Sequence, residues 1–350
     1  MDALPGKLFL APMAEISTPA LRSVIKELCP ETVFYSEMLS AGAIAAGADH
    51  NEPLVKKYDF DDPLVYQIVG ANPGVMAEAC AVLSEGGCLA VDINMGCPIH
   101  DIVKKGQGAR LLADPPKARE IVRACRKTAR TGLSVKMRTG WEDNDEARFV
   151  SFITMLEGEG VDFIAVHPRC ARLGFRRTAD WRLVALAKRT VSIPVIGNGD
   201  INTPQAAADR MREHGCDGVM IGREAVSSPW IFRLAAGVMN GNPMPLEINV
   251  PDIFLKVLDN MGRFLPERLH RSRSHRFCSY YTRNARYGHE LFTRIRRESS
   301  LDRIRELVVD YYQRNPEEAV KHFGTTDGII RVNCHCEEPS GMRATKQSVP

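Results

Sequence analysis

Along the first two thirds of the chain, short runs of apolar and β-branched residues recur. They are Leu8–Met13, Val33–Met38, Leu64–Gly70, Ala90–Gly96, Ser134–Gly140, Phe163–Arg169, Pro194–Asp200 and Gly218–Glu224. Continuous apolar runs of this length predict buried strands. Between them the apolar positions switch to helical spacing: Ala118, Ile121, Val122 and Cys125 within Pro115–Arg130, and Phe149, Phe152, Ile153 and Leu156 within Ala147–Glu157. Strands alternating with helices pair in parallel through right-handed crossovers. Eight such units over about 230 residues match an α/β fold of the closed (β/α)8 TIM-barrel type. The competing arrangement is an open doubly wound sheet.

The pattern changes after residue 236. GVMNGNPMPLEINVP (237–251) is rich in Gly, Pro and Asn without an apolar repeat, which predicts a linker. Helical spacing then returns over Asp252–Leu265, Ser272–Arg286 and Leu301–Tyr312, and it fades beyond Phe323. The expected organisation is a barrel over 1–240, a small helical domain over 241–323 and a disordered tail over 324–350.

Composition narrows the class. With 44% hydrophobic and 25% charged residues, the chain reads as an ordinary soluble globular protein. No apolar run reaches the roughly 18–20 residues a membrane helix needs. The opening MDALPGKLFLAPM lacks the core and cleavage site of a secretory signal, so a cytoplasmic location is expected. Ten cysteines without a CxxC pair fit reduced thiols. Cys334, His335 and Cys336 lie too close together, with no second cluster, for a zinc site, and no metal is expected.

Charge adds a partner. The formal net charge is only +3, yet Met261–Arg305 carries twelve arginines, no lysine and four acids, +8 in all, leaving −5 elsewhere. A basic block on an otherwise acidic chain points to a polyanion. Arg271, Arg273, Arg276, Arg283 and Arg286 are the residues expected to meet phosphates.

Catalytic residues of such barrels sit at the C-terminal ends of the strands, and here those ends are polar. They carry Glu37, Gln67, Asn94-Met95-Gly96-Cys97-Pro98, Lys136 with Arg138, His167 with Arg169, Asn198-Gly199-Asp200 and Gly222-Arg223. Strand alternation turns some of these outward. The last two ends pair glycine with a polar residue, which lets backbone N–H groups approach a phosphate while Arg223 adds charge. Cys97 stands apart from the other cysteines: between Gly96 and Pro98 on a loop at the catalytic face, its thiol can serve as nucleophile or proton donor.

These residues resemble a known family. LAPMAE (10–15), YQIVG (66–70), VDINMGCP (91–98), GQGARLL (106–112), VKMRTGW (135–141), HPRCARLGF (167–175), IPVIGNGDI (193–201) and MIGREAVSSPWIF (220–232) are similar, in order, to the signatures of flavin-dependent tRNA-dihydrouridine synthases. Asn-x-Gly-Cys-Pro is the most specific of them. The resemblance implies FMN as cofactor, NADPH as electron donor and tRNA as substrate, with a monomeric enzyme expected. By position it implies that Pro12, Met13 and Ala14 line the flavin, that Gln67 and His167 touch it, and that Lys136 lies by its pyrimidine end. Asn198, Gly199, Asp200, Gly222 and Arg223 would hold its phosphate, Asn94 would lie near flavin and substrate, and Cys97 would be the catalytic acid. Glu15 and Thr18 depart from the family, which commonly has a small residue and often Asp there. Two other functions compete: a flavin reductase of a free pyrimidine, which has no use for the arginine block, and a non-catalytic RNA-binding barrel, which has no use for Cys97 and Lys136.

Overall fold

The structure is a computed structural model that describes residues 4–47, 52–174, 177–326 and 329–333. Eight parallel strands follow in chain order: β1 (Leu8–Leu10), β2 (Phe34–Ser40), β3 (Leu64–Val69), β4 (Ala90–Met95), β5 (Gly132–Arg138), β6 (Phe163–His167), β7 (Val195–Asn198) and β8 (Gly218–Ile221). Each pairs with its chain neighbour from β2 to β8, and β8 returns to β1 with Leu8 opposite Val219. The ring closes where Val33 bridges Phe9, its N–H donating to the Leu8 carbonyl and the Leu10 N–H donating to its own, both at 2.9 Å. That closure decides for the barrel over the open sheet. The strands are buried on both faces, as parallel sheets covered by helices must be.

Side chains set where the outer helices begin. Asn72, Asp114, Asp145 and Thr203 each accept a hydrogen bond from the backbone N–H three residues on, at 3.1, 3.1, 2.7 and 3.0 Å. Each cap contributes about 1 kcal/mol to its helix, and together they start the helices just beyond the C-terminal mouth.

The second domain packs helices Val250–Phe264, Glu267–Tyr281, Gly288–Ile295 and Leu301–Arg314 around Phe254, Phe277 and Tyr281, whose ring centroids lie 4.9–5.7 Å apart. Its aromatic core runs on into the barrel's flank, where Trp230 meets Tyr281 edge-on at 6.3 Å. Asn260 also donates to Ser23 at 2.9 Å, so the domain is docked along the first barrel helix, Pro19–Leu28.

Three expectations are corrected. The segment read as a linker holds a strand, β9 (Leu246–Asn249), beyond the helix Ile231–Met239. It pairs antiparallel with β10 (Val320–Thr326), which pairs in turn with β11 (Ile329–Asn333). Order therefore extends past Phe323, and the second domain is not wholly helical; the remainder of the expected tail, with Cys334, His335 and Cys336, lies outside the described residues. Pairing across some seventy residues leaves no local periodicity to read. The helix expected at Ser272–Arg286 runs instead over Glu267–Tyr281, with Gly288–Ile295 a separate helix. Among the described residues, no helix is long and apolar enough to cross a membrane, and no cluster of His, Cys, Asp and Glu could hold a metal ion.

Candidate active site

The C-terminal mouth of the barrel opens into a cavity of about 250 Å³. All thirteen residues expected at the catalytic centre line it: Pro12, Met13, Ala14, Gln67, Asn94, Cys97, Lys136, His167, Asn198, Gly199, Asp200, Gly222 and Arg223. A larger groove of about 860 Å³ lies on the outside, against helices Pro115–Thr128 and Glu146–Gly158, and shares none of them. Its lining carries four arginines (110, 119, 123 and 148) and four acids (Glu120, Glu142, Asp143 and Asp145), so its formal charge is balanced.

The wall at Met13 is held from below. Ser17 Oγ accepts from Met13 N at 2.9 Å, and Arg22 donates to the Ser17 carbonyl at 2.7 Å while pairing with buried Asp61 at 2.6 and 2.9 Å. At the turn's apex Glu15 takes φ +64°, a conformation costly for a side-chain-bearing residue.

The floor is a buried amide chain. Asp92 accepts from Ser134 Oγ at 2.7 Å and from Gln67 Nε2 at 2.8 Å, and Gln67 Oε1 accepts from Asn94 Nδ2 at 2.8 Å. Asn94 Oδ1 accepts from the N–H groups of Gly96 and Cys97 at 3.0 and 2.9 Å. The Cys97 loop is gripped elsewhere too: Arg138 Nε donates to the Gly96 carbonyl at 3.0 Å and Ala109 N to the Cys97 carbonyl at 3.0 Å. Gly108, at φ +61°, lets that second contact form, since a Cβ there would stand 2.7 Å from the Cys97 carbonyl oxygen. Cys97 itself is half-buried, and burial pushes its thiol up from its ordinary value, against the pull of the Ile99 backbone and the Arg138 and Lys136 charges.

The far wall is cationic. Desolvation lowers Lys136 to about 8, with Asp92 opposing, and raises Asp92 to about 7 against its hydrogen bonds from Gln67 and Ser134. His167 is driven down to about 2 by burial and by the charges of Lys136, Arg138, Arg169 and Arg223, so it is neutral at any physiological pH. Arg169 Nη1 lies 3.0 Å from His167 Nε2, and Arg169 Nη2 grips both oxygens of Asp200 at 2.7 and 2.6 Å. Asp200 also accepts from Ala179 N at 2.8 Å, which pins it at φ +51°.

Two expected phosphate holders thus have other work for their side chains. The Asp200 carboxylate orients Arg169, and the Asn198 amide donates to the Met220 carbonyl at 2.8 Å, tying β7 to β8. Neither is turned to an anion by its side chain. Gly199 leaves the wall bare, as a Cβ there would come within 3.1 Å of Ala179 and His167. Arg169 and Arg138 line the cavity without having been assigned a role there, although the polar strand ends had already marked them. Met38 and Asp92 gave no signal, each being one apolar or acidic residue inside a strand.

The arginines singled out for phosphates divide. Arg271, Arg276, Arg283 and Arg286 are exposed. Arg273 is not: only 12% exposed, it reaches Glu37 at 3.4 Å and Glu15 at 3.6 Å. Arg276 pairs with Glu15 at 3.0 Å, so helix Glu267–Tyr281 runs along the rim beside Met13.

A profile of the dihydrouridine synthase (Dus) family matches residues 9–307. The chain belongs to the dihydrouridine synthase family. That match takes in the barrel and most of the helical domain. Among curated relatives, tRNA-dihydrouridine synthase B of Vibrio cholerae is 33% identical over 79% of this chain and 87% of its own length. The enzyme of the same name from Pseudomonas aeruginosa is 34% identical over 66% and 69%. The probable tRNA-dihydrouridine synthase 1 of Synechocystis is 33% identical, with 64% of its length covered. Among solved structures, a 2-naphthoyl-CoA reductase complex superposes with TM-score 0.51 at 13% identity, over 68% of this chain and 50% of that one. Histamine dehydrogenase from Rhizobium gives 0.51 at 11%, over 73% and 49%. At such identities these two share the barrel fold with this chain.

Proposed function

We propose that this chain reduces a uridine of tRNA to 5,6-dihydrouridine, with FMN as cofactor and NADPH as electron source. The observation that carries the reading is Cys97: a thiol kept protonated by burial, locked at the lip of a cationic cavity whose other walls fit a flavin phosphate. The fit is chemical. Arg223, Arg169 and Lys136 surround neutral His167, and the bare backbone at Gly199 leaves room for an anion that those charges favour.

FMN bound there would supply the hydride for C6 of the uracil ring. The chain's own residues do the rest. A general acid must give a proton to C5, and a thiol above its ordinary pKa is in the required state at neutral pH. Lys136 is placed to favour negative charge in the cavity, and Gln67, spent on Asp92 and Asn94, forms a rigid floor rather than a mobile contact. A base inside folded RNA has to leave its stack to reach such a cavity. The exposed Arg271, Arg276, Arg283 and Arg286, on the domain beside the rim, would hold the backbone of that RNA while it does.

The test separates the half-reactions. Cys97→Ala should keep its flavin and its reduction by NADPH, yet slow the oxidation of reduced flavin by tRNA about 10²–10⁴-fold, the usual contribution of a general acid. Near-normal dihydrouridine formation in single turnover would remove Cys97 from this role. Turnover of free uracil nucleosides in preference to tRNA would shift the substrate to a free pyrimidine.

A further inference from the structure

The buried chain below the cavity has ends of opposite character. At one end stand the backbone N–H groups of Gly96 and Cys97, which can only donate. At the other, Asp92 is a carboxylate above its value of about 7 and then only accepts, with both oxygens occupied, one by Ser134 and one by Gln67. Two amides lie between, and an amide is free to present either its oxygen or its nitrogen. The ends leave a single satisfied arrangement: Gln67 turns nitrogen to Asp92 and oxygen to Asn94, and Asn94 turns nitrogen to Gln67 and oxygen to the Cys97 loop. Asp92 and Ser134 are fully buried and stand behind the cavity lining, so solvent cannot repair a reversed link at the Asp92 end.

We propose that Asp92 is a positioning residue for the thiol: as an acceptor at both oxygens it sets the polarity of the Gln67–Asn94 relay, and that polarity anchors the backbone of Cys97. Asp92 itself never reaches the cavity lining. The inference rests on the proposed role of Cys97 for its functional meaning, though not for its test.

Polarity can be reversed without emptying a single link. In Asn94→Asp, position 94 still accepts from Gly96 and Cys97, but it now sets an oxygen against Gln67 Oε1. If Gln67 turns over to meet it, the mismatch moves to Asp92. Adding Asp92→Asn supplies the missing donor: the amide nitrogen of position 92 gives to Gln67 Oε1, Gln67 Nε2 gives to position 94, and Ser134 still gives to the remaining oxygen. The swap conserves volume and net charge; it gives up the weak Asn94 Nδ2 contact with Met38 sulfur at 3.4 Å and moves the carboxylate that opposes the lowering of Lys136.

The readout is alkylation of Cys97 by iodoacetamide in the full-length, flavin-loaded protein without tRNA, followed by peptide mass spectrometry at pH 8.5. Asn94→Asp alone should be alkylated about tenfold faster, the scale of losing one net buried hydrogen bond from the relay that holds the loop's anchor. The swap should return to within about threefold of wild type, a rescue that a general packing role does not predict. A swap that folds where Asn94→Asp alone does not is the same rescue. The proposal is overturned if the single variant reacts like wild type, if the swap is no slower than the single variant, or if the swap itself fails to fold. Because no uridine takes part, a wild-type protein inactive on tRNA would sink the functional reading and leave this result standing.

Discussion

Arg273→Met distinguishes an arginine that holds the two domains together from one that holds RNA. Arg273 is 12% exposed and faces Glu37, whose side chain is 6% exposed, at 3.4 Å. Burial raises Glu37 above the ordinary carboxylate value, and Arg273 is the chief influence drawing it back. Removing one partner of a buried pair costs roughly 3–5 kcal/mol when the other stays charged. Glu37 has an escape, since it can bind a proton at about 1.4 kcal/mol per pKa unit. In the variant its folded pKa rises further above the unfolded one. The folded state then holds a proton that the unfolded state releases, and stability falls as pH rises through that window. The destabilisation should therefore be larger at pH 8 than at pH 5. Glu37→Gln in the same chain should restore about 2 kcal/mol or more by removing the stranded charge. Urea unfolding of the single and double variants at both pH values measures this. Binding of tRNA across a salt series gives the second arm: Arg273→Met should leave the log–log slope unchanged, whereas Arg283→Gln with Arg286→Gln should flatten it by about 0.7–0.9 per lost phosphate contact. A variant as stable as wild type whose salt slope flattens would refute the reasoning and make Arg273 an RNA contact.

Other outcomes follow from the site. Gly108→Ala puts a Cβ 2.7 Å from the Cys97 carbonyl oxygen at φ +61°, so it should lower stability by about 1–3 kcal/mol. It should also slow tRNA-dependent flavin oxidation about 10²-fold by displacing the thiol, with NADPH-dependent reduction as the unaffected control. Arg223→Ala should weaken FMN retention by about 1.5–3 kcal/mol, the worth of a charge-assisted hydrogen bond, read by fluorescence titration; unchanged affinity would take the phosphate away from Arg223. His167 is held at about 2 against an ordinary 6.5. Its folded pKa lies below the unfolded one, so it costs stability as pH falls below 6.5. Flavin-free protein should lose about 1.4 kcal/mol per pH unit between pH 5.5 and 4.5 from this residue, a slope that His167→Gln should remove in urea titrations.

The eight strands were legible because each is a short apolar run, and such a run needs no knowledge of its partners to announce burial. The cavity lining was legible for a related reason: a barrel brings all strand ends to one mouth, so polar residues at those ends meet whatever the details of packing. What failed was long-range or depended on which way a side chain turned. β9 lies in a Gly- and Pro-rich stretch and exists because Val320–Phe323 pairs with it. Arg273 and Arg283 look alike in a row of arginines, but one points into the interface and the other lies over Tyr280, 5.1 Å from its ring centroid, in the open. Asp200 and Asn198 were rightly brought to the mouth, while the partners that occupy their side chains, Arg169 and the Met220 carbonyl, come from neighbouring strands. The same holds for Asp92, an acid inside a strand whose influence passes through Gln67 on β3 and Asn94 on its own strand to the thiol. By itself the sequence determined the strands, the barrel and the residues at its mouth, since burial and period are properties of local segments. The tertiary structure decided which of those residues remain available for chemistry, because a hydrogen bond or ion pair between distant segments is set by three-dimensional packing alone.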